Sequence, residues 1–124
     1  MNNLDKILSS DIDGMSSYEY LVNNIDNVEE NLEKVIDNII KVDSSGQFVS
    51  SAARYLNATE PELYSEFIGK LLEAAIDKDR SRVYLPTLLS AIWGEDYLSR
   101  AEDLRKTDDN FRRIYKRVHP SGSI

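Results

Sequence analysis

Tyr18, Leu21, Ile25, Val28, Leu32, Val35, Ile39 and Val42 follow one another at spacings of three and four residues. That rhythm puts all eight on one narrow side of a helix, a stripe that must be covered by other helices. It predicts one long heptad-patterned first helix running from Ser16 to Ser44, roughly 40 Å at 1.5 Å per residue. Ser16 and Glu19 have the spacing of a capping box at its start, and Ser44, Ser45 and Gly46 stop it. Glu30 with Lys34 and Asp37 with Lys41 are acid-before-base pairs at i, i+4 on its outer side.

Shorter amphipathic segments follow. Phe48, Val49, Ala52, Tyr55 and Leu56 share one side of a helix from about Gln47 to Leu56. Thr59 and Glu62 suggest a second capping box with Pro61 in the first turn. Leu63, Tyr64, Phe67, Ile68, Leu71, Leu72, Ala75 and Ile76 form a wide apolar stripe, that of a central core helix. Pro86 favours a helix start near Leu85, and Gly94 ends it in a left-handed conformation. In the last segment, Tyr97, Ala101, Leu104, Asp108, Phe111, Tyr115 and Val118 keep the seam spacing, with a carboxylate among them. Either the chain breaks at Thr107 and Asp108 caps a new helix, the favoured expectation, or one long helix carries the carboxylate inward, where it needs a basic partner or water.

These elements predict an all-α fold, a single-domain helical bundle of five or six helices. Residues 1–15 read as a polar lead-in, partly disordered, 16–118 as the domain, and 119–124 as a flexible tail. Closure of the long seam on a second copy, a homodimer, is the alternative. Ser51–Ala52 and Ser90–Ala91 recur at an offset of 39 residues in similar helical settings. Two copies do not define a solenoid.

Charge is distributed unevenly along the chain. The chain has 124 residues and a formal net charge of −7. All of the excess lies in residues 1–47, where ten acids face three lysines; the remaining 77 residues carry 12 acids and 12 bases. Such a distribution disfavours nucleic acid at that part of the chain and favours a cationic protein partner. The absence of cysteine excludes disulfides and thiolate chemistry and fits the cytoplasm. The first fifteen residues lack the cationic start and continuous apolar stretch of a secretory signal, and no apolar run approaches membrane-spanning length, so a soluble protein is expected.

Candidate chemistry is sparse. His119, the single histidine, precedes Pro120 near the chain end, a poor setting for a general acid or base. Glu30 and Glu33 supply half of the paired Glu-x-x-Glu and Glu-x-x-Asp pattern of the all-α nucleotide pyrophosphatases, and the other half is missing. Asp11, Asp13 and Gly14 imitate the opening of a calcium loop, yet Val22 stands where its bidentate glutamate belongs. No cofactor and no metal site is therefore expected. Asn24, Asn31 and Asn38 recur every seven residues along one flank of the first helix, where solvation is their simplest role. Arg112, Arg113, Lys116 and Arg117 oppose Phe111, Ile114, Tyr115 and Val118 on the terminal helix, which predicts packing onto the acidic first helix.

The resulting expectation is a non-enzymatic acidic protein-binding module. Its contact surface is Asp26, Glu29, Glu30, Glu33 and Asp37. In physical type it matches an immunity or antitoxin-like inhibitor of a cationic toxin or nuclease. The alternatives are an adaptor or assembly subunit of a larger bacterial complex and, behind it, a magnesium–carboxylate pyrophosphatase.

Overall fold

Eight α-helices make up the computed structural model, which describes residues 3–120. They are α1 (Asn3–Ser10), α2 (Met15–Asn23), α3 (Leu32–Val42), α4 (Gln47–Thr59), α5 (Ser65–Lys78), α6 (Leu85–Trp93), α7 (Tyr97–Thr107) and α8 (Asp109–Val118). Among the described residues there is no strand, and no helix is long and apolar enough to cross a membrane. The predicted long first helix is therefore two helices, and the bundle has more members than the five or six expected.

The break falls where Asn24, Asp26 and Asn27 crowd together, residues whose side chains compete with helical backbone bonds. Asn24 donates both its backbone amide and its Nδ2 to the Tyr20 carbonyl at the end of α2. Two three-residue turns, Asn27 N to Asn24 O and Asn31 N to Val28 O, then carry the chain through a 3₁₀ turn at Glu29–Asn31 into α3. Tight turns of this kind preserve the sidedness of a helix while changing its course. Leu21, Val28, Leu32, Val35 and Ile39 accordingly all reach the core.

The helices form two layers. In one, α4 lies between α2 and α6; in the other, α5 lies between α3 and α8, with α1 beyond α3. Each return from the second layer to the first is built on a buried or nearly buried aspartate. Asp11 Oδ2 accepts from the Ser17 amide at 2.8 Å, Asp43 Oδ2 from that of Val49 at 3.0 Å, and Asp79 Oδ2 from that of Leu85 at 2.8 Å. In every case the donor lies six residues after the aspartate. The carboxylate thus satisfies amides that the first turn of the next helix leaves without partners. Three residues after each aspartate the backbone is left-handed: Gly14 (φ 104°), Gly46 (φ 94°) and Arg82 (φ 58°). The structural repeat is set by these turns, with Asp43 and Asp79 separated by 36 residues, so the echo at 39 is displaced by three.

The opposite connections differ. Residues 24–31 and 60–64 join the layers directly, whereas the third connection contains all of α7 before α8 packs on α5 and α6. Helix α7 buries only Ala101. The break at Thr107 occurs as the sequence predicts: Asp108 Oδ1 accepts from the Phe111 amide at 3.1 Å, and its Oδ2 accepts from Trp93 Nε1 at 2.8 Å.

Several local expectations are corrected. Ser16–Glu19 is not a capping box, because Gly14 begins α2 and Asp11 supplies the cap. Thr59 belongs to the end of α4, its hydroxyl bonded to the Leu56 carbonyl, and α5 starts at Ser65. The local charge pairs on α3 give way to long-range ones, Lys34 with Asp5 and Lys70 with Asp37. The terminal basic helix packs on α5 and α6, away from the acidic helix: Arg113 faces Asp77, and Arg117 donates to the carbonyls of Ile76, Asp79 and Arg80. Residues 3–10 of the polar lead-in form α1 and bury Leu4 and Leu8; 121–124 of the tail lie outside the described residues.

Candidate acidic contact surface

Helix α3 turns Leu32, Val35, Ile36 and Ile39 inward, so helical spacing sends Glu33 and Asp37 outward. Glu29 and Glu30 occupy the 3₁₀ turn just before it, and Asp26 the preceding bend. All five carboxylates named from the sequence are solvent-exposed. They lie at and below the end of the bundle where α2 passes into α3.

Two residues of α5 and its approach show how the acids are grouped. Tyr64 is buried, and burial pushes its hydroxyl above the usual tyrosine range; the negative fields of Glu60, Glu29 and Asp26 add to the effect. The fields of Glu60 in the α4–α5 connection, Glu29 and Asp26 thus converge on one hydroxyl. Further along, Lys70 Nζ donates to Asp37 Oδ1 at 2.6 Å. That bond, with the fields of Asp37, Glu33 and Glu66, holds the ammonium above the ordinary lysine range despite some desolvation.

Between α3, α5 and α8 runs a groove of about 560 Å³, lined by Glu33, Glu66, Glu73, Lys70 and Asn110 among others. Glu66 and Glu73 extend the surface beyond the residues read from the sequence, as Glu60 does at its upper end. Their signal was present, since Glu66, Lys70 and Glu73 follow one another at spacings of four and three on α5. What the sequence withheld was that α5 would lie beside α3. The structure thus divides the predicted set: Asp26 and Glu29 act on Tyr64 through their fields, Glu30 is exposed in the 3₁₀ turn, Glu33 lines the groove, and Asp37 is paired with Lys70.

The asparagine flank is not uniformly solvated. Asn38 Nδ2 donates to the Leu8 carbonyl at 3.0 Å and the Ser17 hydroxyl at 2.9 Å, tying α3 to α1 and α2. Asp11 accepts from the amides of Asp13, Gly14 and Ser17 and from the Ser17 hydroxyl. Among the described residues no three carboxylate or imidazole side chains are grouped to hold a metal ion. The His119 ring rests against Tyr115, with centroids 4.7 Å apart.

No protein-family model, curated protein sequence or solved structure matches this chain.

Proposed function

We propose that this chain is a non-enzymatic protein-binding module whose acidic surface captures a cationic protein, in the manner of an immunity or antitoxin-like inhibitor acting in the cytoplasm. The observation that carries the reading is the joining of exposed carboxylates from the α2–α3 turn, α3 and α5 into one surface. Carboxylates fixed on helices steer an oppositely charged partner at long range and set its orientation on arrival. Association steered by charge in this way is fast at low ionic strength and slows as salt screens the carboxylates.

An adaptor or permanent subunit needs a broad apolar surface when isolated. Among the described residues the large exposed apolar ones are Ile12, Met15, Leu63, Val83 and Leu98, on four separate segments of the chain. So small a number of exposed large apolar side chains favours the self-sufficient inhibitor over the subunit.

The deciding experiment compares the wild-type chain with a Glu29→Lys, Glu30→Lys, Glu33→Lys variant as baits in native lysate, each at low and high salt. A basic protein recovered by the wild type, released by salt and missed by the variant is the expected result. Equal recovery by both folded baits would remove the acidic surface from the mechanism.

A further inference from the structure

The end of the bundle that holds the aspartate turns carries the opposite charge. Arg80 and Arg82 from the third turn, and Arg112, Arg113, Lys116 and Arg117 from α8, line a groove of about 800 Å³ in which, among the described residues, Asp109 is the only acidic lining residue. This concentration occurs on a chain of net charge −7. Fold stability does not account for all of it. Arg117 is committed to the three carbonyls at the end of α5, and Arg112 is paired with Asp109. Among the described residues Arg80 and Lys116 have no ion-pair or hydrogen-bond partner for their side chains.

Arg82 adds an independent observation. It occupies the left-handed position that glycine fills in the other two turns. A residue with a side chain costs about 1 kcal/mol or more in that conformation, and such local strain concentrates at functional positions. Among the described residues the only side-chain bond Arg82 makes is a long one, Nη1 to the Arg117 carbonyl at 3.4 Å. The guanidinium lines the groove, so the substitution that strains the turn is the one that adds a cation there.

We infer that this groove binds a compact polyphosphate anion. Planar guanidinium groups match phosphate oxygens in geometry and charge, and the volume is that of a small-ligand site. Chain direction argues against a long nucleic acid. Helix α5 runs from the acidic end to the groove over only about 21 Å at 1.5 Å per residue, so an extended polyanion would meet the carboxylates of the acidic surface.

Calorimetry with inorganic tripolyphosphate and with ATP at low ionic strength tests the inference. One-to-one binding is expected, weakened about tenfold or more by Arg80→Ala with Lys116→Ala, and unaffected by Lys6→Ala with Lys106→Ala, which removes the same charge elsewhere. Equal affinity for the two probes identifies the phosphate chain as the ligand, and tighter ATP binding identifies a nucleoside polyphosphate. Arg82→Gly should weaken binding several-fold while leaving the melting temperature unchanged or raised. Absence of tripolyphosphate binding, equal weakening by both lysine-containing pairs, or a lower melting temperature with unchanged affinity in Arg82→Gly overturns it. So does tighter binding of a single-stranded oligonucleotide, or salt-sensitive self-association through the groove without phosphate binding.

Discussion

Gly46 lies directly against Asp79. A Cβ on Gly46 would stand 3.0 Å from the Asp79 Cβ and 3.3 Å from its amide nitrogen, and one on Gly14 would stand 3.1 Å from the Phe48 Cβ and 3.4 Å from the Asp43 Cβ. Each aspartate turn therefore rests on the next, and the two glycines set how closely successive turns approach. Gly46→Ala combines left-handed strain of about 1–2 kcal/mol with displacement of the aspartate that caps α6. A loss of about 2–4 kcal/mol in urea unfolding is expected. Gly69, inside α5 with open space where a Cβ would stand, should respond in the opposite sense, with Gly69→Ala gaining about 0.5–1 kcal/mol. Matching signs in the two variants would refute the stacking argument.

Asp11 makes the stability of the first turn depend on pH. Burial raises its affinity for a proton, but bonds from the Ser17 hydroxyl and the amides of Ser17, Gly14 and Asp13 outweigh it, leaving the carboxyl below the usual aspartate value of 3.8. A lowered folded value stabilises the folded state fully above the unfolded value, and that contribution disappears as the pH falls through the folded one. Asp11→Asn should consequently be destabilising at neutral pH, with the gap to wild type closing below about pH 4. Thermal melts across that range measure it; a constant gap would mean that the charge on Asp11 contributes nothing.

Asp108 is legible in the sequence as the charged member of an apolar seam, and the helix break it predicts is present. The boundaries of α6 were equally legible, because Pro86 and Gly94 act locally. The break between α2 and α3 was not. Apolar periodicity records which side faces the core, and the tight turns at Asn24–Asn31 keep that side constant, so Leu21, Val28 and Leu32 look continuous in sequence. Asn23, Asn24, Asp26 and Asn27 were the available warning. The acidic surface was half legible for a related reason. Exposure of Glu29 and Glu33 follows from spacing, whereas the arrival of Glu60, Glu66 and Glu73 beside them depends on how distant helices pack.

The Asp108–Trp93 bond gives a direct optical test of the α6–α8 junction. Trp93 is the single tryptophan, half-buried and edge-on to Phe111 with centroids 5.2 Å apart. Asp108→Ala removes both the cap of α8 and the acceptor for the indole, costing about 1–3 kcal/mol. Asp108→Asn retains an acceptor oxygen and should cost less. Tryptophan emission should shift in the alanine variant before global unfolding, and an unchanged spectrum would place the indole bond elsewhere.

Lys70 is a cation set into the acidic surface, and its removal separates the stability of the bundle from the proposed capture of a cationic protein. Both side chains of the Lys70–Asp37 pair are about half exposed, 44% and 51%, so the bond contributes about 1 kcal/mol at most. Lys70→Gln releases Asp37 and adds one unit of negative charge beside Glu33 and Glu66. If the surface steers a cationic protein, association should quicken by a few-fold at low salt and the gain should vanish at high salt. The ammonium is held above its ordinary range by Asp37. Its stabilising contribution is complete below the unfolded lysine value and is lost only as the pH rises through the higher folded value. Wild-type and Lys70→Gln rates should therefore keep the same ratio between about pH 6 and 8, measured by stopped flow with the protein recovered on the wild-type bait. A slower variant would show that Lys70 itself touches the partner, and that the working surface is the mixed-charge groove rather than its carboxylates alone.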